Sequence, residues 1–168
     1  LEQMIEALPL LPDHVLLVVG DGDILNELKD QVHKADLEEK VIFTGRLDMG
    51  KLPALTALAT VGMSLEQDLG LNYRLALPNK LFDYMSAGIP VLVSNLTVMA
   101  SLVREEQIGL VVNATDPESL KTAILKFSPD SENYISWSQA AKKAAEKYTW
   151  ESQENVLLSL CEMAISYS

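Results

Sequence analysis

The sequence has few of the residues that build metal centres and disulfide frameworks. Its 168 residues include one cysteine, Cys161, and two histidines, His14 and His33. A single cysteine cannot form a disulfide within the chain, which fits a reducing, cytoplasmic compartment. These three side chains also do not make a typical zinc site. We therefore expect neither a resident metal nor a disulfide framework.

Basic residues are scarce as well. Lysine and arginine together number 13 against 24 acids, and the formal net charge is −11. Proteins that bind nucleic-acid backbones need a basic face, so a DNA or RNA partner is not expected. A small anionic ligand remains compatible with this composition, because local helix dipoles can oppose the global charge.

Long apolar runs and several familiar catalytic motifs are missing. No stretch is long enough to cross a bilayer, and no signal peptide is visible. The sequence contains neither a phosphate-binding loop ending in Gly-Lys-Ser/Thr nor a nucleophile elbow. Hydrophobic residues make up 48% of the chain, which is typical of one globular domain. The first segment, "LEQMIEALPL", resembles the middle of a helix, so we expect a piece of a longer protein.

What the sequence does contain is a regular alternation of strand and helix patterns. Short apolar runs predict strands at 14–20, 40–45, 60–66, 89–95 and 108–113. Helical spacing predicts helices at 24–38, 51–59, 79–88, 97–107 and 116–127, with two more near 134–147 and 150–166. Runs such as "VLLVV" lack polar alternation, so both sheet faces should be covered. The predicted fold is α/β: a doubly wound, Rossmann-like parallel sheet of about five strands with extra C-terminal helices.

Ligands of such folds bind beyond the carboxyl ends of the strands, so the loops there are the candidate sites. "GDGD" follows the first predicted strand, where Gly20 and Gly22 would let the backbone turn tightly and approach a ligand. The third glycine of the dinucleotide fingerprint is missing, which weakens an NAD interpretation. The alternative is an ordinary turn in which Asp21 or Asp23 caps the next helix.

Two other loops at this edge carry polar residues. "FTGRLD" ends the second strand; Gly45 permits a close backbone approach, and Arg46 either meets a phosphate or base or is a surface arginine. The long segment 66–78 follows the third strand, and long loops in compact domains are often functional. Its candidate residues are Glu66, Asp68, Gly70, Asn72, Tyr73 and Arg74. The alternative is a mobile surface loop without a function.

The segment "PNKLFDYMSAGIPVLVSN" predicts a helix from Asn79 to Gly88, followed at once by a strand. The free amides at the start of this helix would form an anion site at the carboxyl edge of the sheet, and Lys80 would add positive charge. Asp83, one turn further in, would repel phosphate but accept hydrogen bonds from sugar hydroxyls. This arrangement suits a nucleotide, with its phosphates at the amides and its ribose at the acid. The alternative role for Asp83 is a favourable interaction with the helix dipole.

Five segments, in this order, resemble the C-terminal, donor-binding domain of GT-B glycosyltransferases of the family 4 (group 1) type. They are "VVGDGDILNELK", "VIFTGRL", "PNKLFDYMSAGIPVLVSN", "GLVVNATDPESL" and "YTWE". The resemblance covers nearly the whole chain, and "PNKLFDYMSAGIPV" is its most specific part. It implies two Rossmann-like domains facing a cleft, with a nucleotide-sugar bound mainly by the C-terminal one. It also implies sugar transfer with retention of anomeric configuration and no obligatory metal or other cofactor.

The resemblance assigns roles to individual residues. The base and diphosphate side is lined by Gly20, Gly22, Gly45 and Arg46, and the helix start under the diphosphate is Asn79, Lys80 and Leu81. The family has a pair of glutamates; the second, which meets the ribose, falls on Asp83, whereas the first falls on Leu75 and is lost. The substitutes for it are Glu66 or Asp68, or backbone amides near Asn72 and Tyr73.

The resemblance also implies what lies elsewhere. The family's Arg and Lys pair for the diphosphate would precede residue 1, as would the acceptor domain. We therefore expect residues 1–168 to be a single donor-binding domain that binds nucleotide without turnover. "YTWE" resembles the point where the final helix crosses towards the N-terminal domain. Any membrane contact, at the inner face, would be made by the absent domain.

Two other functions stay open. One is a nucleotide-sugar epimerase on the same fold, which would want more acidic and histidine groups in the cleft. The other is a non-catalytic α/β module, which the broken glutamate pair would fit. The sugar, the base and the acceptor are not specified by the sequence; a cell-envelope polysaccharide or lipid-linked sugar is a family-level expectation.

Overall fold

The computed structural model describes residues 1–113 and 116–166 of the chain. The strands are β1 (Leu16–Val19), β2 (Val41–Gly45), β3 (Gly62–Ser64), β4 (Val91–Ser94) and β5 (Gly109–Val112). The helices of the first half are α1 (Glu2–Ala7), α2 (Leu25–Lys34), α3 (Leu52–Thr56), α4 (Leu71–Leu75) and α5 (Asn79–Ala87), with a 3₁₀ turn at Leu8–Leu10. Those of the second half are α6 (Thr97–Glu106), α7 (Pro117–Ile124), α8 (Glu132–Ala145) and α9 (Trp150–Ser166).

Local sequence chemistry sets the ends of two helices. Gly88 adopts the left-handed conformation after α5 (φ 69°, ψ 29°), and the Ile89 amide donates to the Tyr84 carbonyl at 2.9 Å. This is a Schellman ending, and it confirms the predicted stop at Gly88. At α7 the Asp116 carboxylate accepts from the Ser119 amide at 3.0 Å, which is the N-terminal cap that the sequence predicts.

All strand pairs are parallel, as predicted, but the strands do not form one continuous sheet. β1 pairs with β2, and β3, β4 and β5 form a separate group with β4 in the middle. The predicted single sheet of about five strands is therefore corrected to a two-stranded and a three-stranded part. Strand pairing links segments far apart in sequence, which is why apolar runs alone did not predict the division.

Helices cover both faces of these strands. On one face α1, α2, α7 and the 3₁₀ turn meet, and on the other α5 packs against α8 and α6 against β4 and β5. β4 shows the consequence, since Leu92 belongs to one hydrophobic cluster while Val91 and Val93 belong to the other. All three side chains are 0% exposed. The doubly wound α/β fold is confirmed.

Two regions outside the core differ from the rest. The segment 66–78, predicted as a loop, contains the short helix α4, which begins after Gly70 at a φ of 141°. α9 exposes large apolar side chains along its length, including Trp150, Leu158 and Ile165. Within the described part of the chain, no helix is long and apolar enough to cross a membrane.

Candidate functional site

The loops after β1 and β2 meet at the carboxyl edge of the first strand pair. The Gly20 amide donates to the Gly45 carbonyl at 2.9 Å. Both residues have positive φ angles, 113° and 65°, which favour glycine. A Cβ atom added at either position would meet nothing within 4 Å. The glycines are thus required for the shape of the backbone here, and they leave it open to an approaching molecule.

Arg46 and Gly22 lie beside this junction. The Arg46 Nε atom is 2.8 Å from the Asp21 Oδ2 atom, so the guanidinium is held across the two loops. With 83% of its side chain exposed, it remains accessible. The Gly22 carbonyl accepts from the Leu25 amide at 3.1 Å, which makes "GDGD" a turn into α2, and Asp21 pairs with Arg46 rather than capping that helix.

The start of α5 lies at the carboxyl edge of the second strand group. Pro78 precedes the helix, and no side chain caps it in the described structure. The Leu81 amide donates to the Pro78 carbonyl at 3.0 Å and is therefore engaged, and the Leu81 side chain is fully buried. The amides of Asn79 and Lys80 have no acceptor among the described residues. Of the expected contributors, Asn79 and Lys80 have donors to offer, whereas Leu81 anchors the helix to the core.

Lys80 is fixed by a carboxylate that comes from the end of β3. Its Nζ atom lies 2.5 Å from the Glu66 Oε1 atom. The Ser64 hydroxyl, on a fully buried side chain, donates to both Glu66 oxygens at 2.9 and 2.8 Å. Burial raises the pKa of Glu66, but the hydrogen bonds from Lys80 and Ser64 outweigh it, and the net effect holds the pKa below its ordinary 4.5. Glu66 is therefore ionised at neutral pH and holds Lys80 beside the open amides.

This cluster makes a pH dependence expected. A lowered carboxyl pKa contributes stability above the ordinary value of 4.5, and that stability is lost as pH falls through the folded pKa. From roughly pH 5 to pH 3, the free energy of unfolding of the wild type should fall by about 1 kcal/mol more than that of Glu66→Gln. Urea unfolding across this range measures it. Glu118→Gln, which removes an exposed acid from α7, is the matched control. Its free energy of unfolding should fall with pH as steeply as that of the wild type. If the free energy of unfolding depends on pH equally in the wild type and in Glu66→Gln, the interactions of Glu66 with Lys80 and Ser64 do not form.

Glu66 and Lys80 line a cavity of about 330 Å³ beyond the end of β3. Tyr73 from α4 and Leu1 to Met4 from the other side complete much of its wall. Tyr73 is 41% exposed, and Asn72 beside it is exposed but is not among the lining residues. Asp68, the other carboxylate of this segment, binds the Arg74 Nε atom with both oxygens at 2.9 Å. Of the two candidate carboxylates, Glu66 lines the cavity, whereas Asp68 accepts hydrogen bonds from Arg74 of α4.

Asp83 lies one turn into α5 and is exposed. No hydrogen bond or ion pair joins it to another described residue. Its neighbour Tyr84 is packed instead: the ring covers Gly62, where an added Cβ would lie 2.3 Å from it, and burial raises the pKa of the Tyr84 hydroxyl. The Asp83 carboxylate is thus open to solvent, and its charge also raises the pKa of Tyr84.

The predicted residues fall into two groups. Gly20, Gly22, Gly45 and Arg46 meet at the end of β1 and β2, whereas Glu66, Tyr73, Asn79, Lys80 and Asp83 lie near the end of β3 and the start of α5. The structure adds Ser64, which the predictions missed. A polar residue inside the apolar run "TVGMSLE", two positions before Glu66, was the available signal.

The histidines lie away from this edge. His14 precedes β1, at the amino end of that strand, and His33 is near the end of α2, where its Nδ1 atom is 2.6 Å from the Glu38 carboxylate. Because α2 returns from the carboxyl edge to the amino edge of the sheet, both histidines lie at the amino ends of the strands, whereas the candidate site lies at their carboxyl ends. This placement gives no support to the epimerase alternative.

The sequence matches the family described as "Glycosyl transferases group 1" over residues 1–144. Among curated relatives, an uncharacterized glycosyltransferase of Methanocaldococcus jannaschii is 27% identical, over 98% of this chain and 42% of its own length. A GDP-mannose-dependent alpha-(1-6)-phosphatidylinositol monomannoside mannosyltransferase of Mycobacterium tuberculosis is 25% identical, over 89% of this chain and 40% of its own length. This chain therefore spans about two fifths of the length of these relatives.

A solved structure gives the same result for the fold. The structure of HepE from Anabaena in complex with UDP-glucose superimposes with a TM-score of 0.76 at 20% identity, covering 95% of this chain and 44% of that protein. At this identity the likeness concerns the fold, which is that of a GT-B Rossmann-like domain.

Proposed function

Because the chain belongs to the group 1 glycosyltransferase family, we propose that it is the domain that binds the nucleotide-sugar donor of a retaining hexosyltransferase of family 4 type. The observation that carries the proposal is the start of α5. There, two unbonded amides, at Asn79 and Lys80, lie at the carboxyl edge of the sheet beside an ammonium group held by Glu66. Backbone donors at a helix start and a fixed cation are what a diphosphate requires.

The ligand atoms are assigned to the two groups of residues by their chemistry. The diphosphate binds the amides of Asn79 and Lys80 and the Lys80 ammonium. The ribose hydroxyls donate to Asp83, whose carboxylate is free to accept them. The base lies over the open backbone at Gly20 and Gly45, with Gly22 and Arg46 at its border. The sugar is held on the Glu66 side, near Tyr73 and Asn72.

Glu66 contributes to ligand binding mainly by positioning Lys80, and less by accepting hydrogen bonds from the ligand itself. Its two oxygens already receive the Ser64 hydroxyl and the Lys80 ammonium. The single ion pair leaves Lys80 45% exposed, so one side of the ammonium can still meet a phosphate oxygen. This local cation and the helix dipole act against the overall charge of −11, which by itself would repel the ligand.

The names of the relatives support a nucleotide-sugar as the ligand. One relative is named for GDP-mannose and a structural neighbour holds UDP-glucose, so the proposed donor is a nucleoside-diphosphate hexose. The rest of the proposed protein includes an N-terminal acceptor domain, and the final helix α9 packs on it. Transfer to a polysaccharide or lipid-linked acceptor at the inner membrane face, with that domain making the membrane contact, follows the same proposal. It needs no obligatory metal, since Lys80 and the amides neutralise the diphosphate.

A titration of residues 1–168 with UDP, GDP and ADP tests the donor site. We expect one nucleotide to shift amide NMR signals at 20–22, 44–46 and 79–83, with a dissociation constant on the order of 1 mM. We expect weak affinity because the proposed diphosphate contacts within residues 1–168 are two amides and one ammonium group. Inorganic phosphate is the control for a plain anion site, and it should shift signals near Asn79 and Lys80 alone.

The outcome that contradicts the donor site is defined on the full-length protein. If saturating nucleotide leaves all three segments unshifted there as well, the domain has no nucleotide site, and the non-catalytic module becomes the better interpretation. If shifts appear in the full-length protein and not in residues 1–168, the segment before residue 1 supplies the missing affinity and the proposal stands.

A further inference from the structure

Two charged side chains stand beside the open backbone at the ends of β1 and β2. Asp21 follows Gly20 and Arg46 follows Gly45, so each comes directly after one glycine of the junction. The Arg46 Nε atom donates to the Asp21 carboxylate, at 2.9 Å from Oδ1 and 2.8 Å from Oδ2. A carboxylate and a guanidinium are thus held side by side at the border of the space that is assigned above to the base.

The ion pair leaves hydrogen-bonding groups of both side chains unused. Arg46 contacts Asp21 through Nε, and its two Nη atoms have no acceptor among the described residues. Each Asp21 oxygen keeps a further lone pair, and 48% of that side chain is exposed. The pair therefore offers a free acceptor next to free donors.

The backbone of the junction has fewer groups to offer. The Gly45 carbonyl already accepts from the Gly20 amide at 2.9 Å and from the Thr44 hydroxyl at 2.9 Å. Both lone pairs of this carbonyl and the Gly20 donor are thereby engaged. A base that lies over the glycines can pack on this backbone, and the groups left to recognise its polar edge include Asp21 and Arg46.

An acceptor next to donors matches only some nucleobases. Uracil presents its N3–H next to the O4 carbonyl, and guanine presents its N1–H next to the O6 carbonyl. In both, the N–H would donate to Asp21 while the carbonyl accepts from Arg46. Cytosine and adenine have the opposite arrangement, a ring nitrogen that accepts next to an amino group that donates. Their acceptor would face the carboxylate and their donor the guanidinium, so neither contact is favourable.

We propose that Asp21 and Arg46 together select the base of the nucleotide, by binding a ring N–H beside a carbonyl and rejecting an amino base. This selection rests on the proposed function, because it concerns the base of the same donor. It gives Asp21 two tasks: its carboxylate accepts from the base, and it holds the guanidinium of Arg46 in place. The donor is thereby restricted to a uracil or a guanine nucleotide.

Calorimetric titration of the full-length protein with UDP, GDP, CDP and ADP measures the selection. The tighter binder of UDP and GDP should exceed both CDP and ADP by at least about 10-fold, because a correctly paired base edge discriminates by this factor or more. A smaller preference overturns the proposal. Tighter binding of GDP than of UDP assigns the site to guanine, and the reverse order assigns it to uracil.

A substitution at Asp21 separates the pair from the rest of the site. In Asp21→Asn the side-chain amide can donate to a ring nitrogen as well as accept, so the preference over CDP and ADP should fall by about 10-fold. The fold should tolerate the change, since exposed ion pairs contribute little to stability. An Asp21→Asn variant that keeps the wild-type preference overturns the proposal.

Asp23→Asn is the matched control. It makes the same change of charge in the same turn, at an exposed side chain that has no ion-pair partner among the described residues. The preference for the base should therefore stay as in the wild type. An equal loss of preference in Asp23→Asn would assign the effect to charge alone, and the proposed contact of Asp21 with the base would be wrong.

Inorganic pyrophosphate distinguishes a failure of base selection from a failure of the donor site. It carries no base, so the wild type and Asp21→Asn should bind it about equally. If pyrophosphate and every nucleotide bind with similar affinity, the donor site stands and the selection by Asp21 and Arg46 is wrong. If neither pyrophosphate nor any nucleotide binds, the donor site is wrong and the selection falls with it.

Discussion

Substitution of Gly109 by alanine should lower the free energy of unfolding by about 4 kcal/mol, a large fraction of the stability of a domain. Gly109 opens β5 at a φ of 158°, and an added Cβ would lie 1.9 Å from the Val91 carbonyl oxygen and 2.7 Å from its nitrogen. The obstacle is backbone of the central strand β4, whose side chains are fully buried, so neither strand can move without disturbing both cores. Urea unfolding followed by circular dichroism measures the loss.

Gly22→Ala is the matched control for this substitution. It adds the same methyl group in a turn where nothing lies within 4 Å and where the φ angle lies outside the positive range that disfavours side chains. Its effect on the free energy of unfolding should stay within about 0.5 kcal/mol. A Gly109→Ala variant as stable as Gly22→Ala would mean that β5 does not pass Val91 at this distance.

Replacing Asp83 with alanine should weaken binding of the preferred nucleotide by about 30-fold while leaving the free energy of unfolding within about 0.5 kcal/mol of the wild type. The carboxylate is exposed and has no hydrogen-bond or ion-pair partner among the described residues, so its removal costs the fold little. A hydrogen bond from ribose to a charged acceptor is worth roughly 1.5–3 kcal/mol. Calorimetric titration of the full-length protein gives the affinity, and urea unfolding gives the stability.

A modified ligand shows whether the ribose is the partner. The 2′,3′-dideoxy form of the nucleotide lacks the hydroxyls, so it should bind the wild type and Asp83→Ala about equally. Asp30→Ala removes an exposed acid from α2 with the same change in charge and should leave both affinities unchanged. Lower stability of Asp83→Ala with unchanged affinity would instead assign Asp83 to the helix dipole.

The sequence predicted those parts of the fold that depend on neighbouring residues. The stop at Gly88 and the cap at Asp116 are local, because a left-handed glycine or a capping carboxylate acts within one helical turn. The alternation of strands and helices was equally readable. The division of the sheet was not, because it depends on whether β1 and β3 pair across more than forty intervening positions.

The candidate site shows the same limit. Its location at the carboxyl edge follows from the fold class, and the structure does bring Gly20 to Gly45 and Lys80 to Glu66. The ion pair of Arg46 with Asp21 and the hydrogen bonds of Ser64 to Glu66 were not predicted. Each depends on side-chain directions that tertiary packing sets. The roles of these residues towards a nucleotide remain predictions.

Gly109 also has a consequence for which alternative pairings the chain can adopt. β4 and β5 read "VLVS" and "GLVV", apolar at almost every position, and both faces of the sheet are covered. A slip of β5 by one residue would exchange one apolar side chain for another, so burial discriminates poorly between the native register and its neighbours. In a slipped pairing that kept the same backbone path, however, Ile108 or Leu110 would have to adopt a φ of 158° opposite Val91, where a Cβ atom collides with the carbonyl oxygen. The one residue without a side chain in β5 therefore favours the native register, because in a slipped pairing a residue with a Cβ atom would have to occupy the path that only glycine fits.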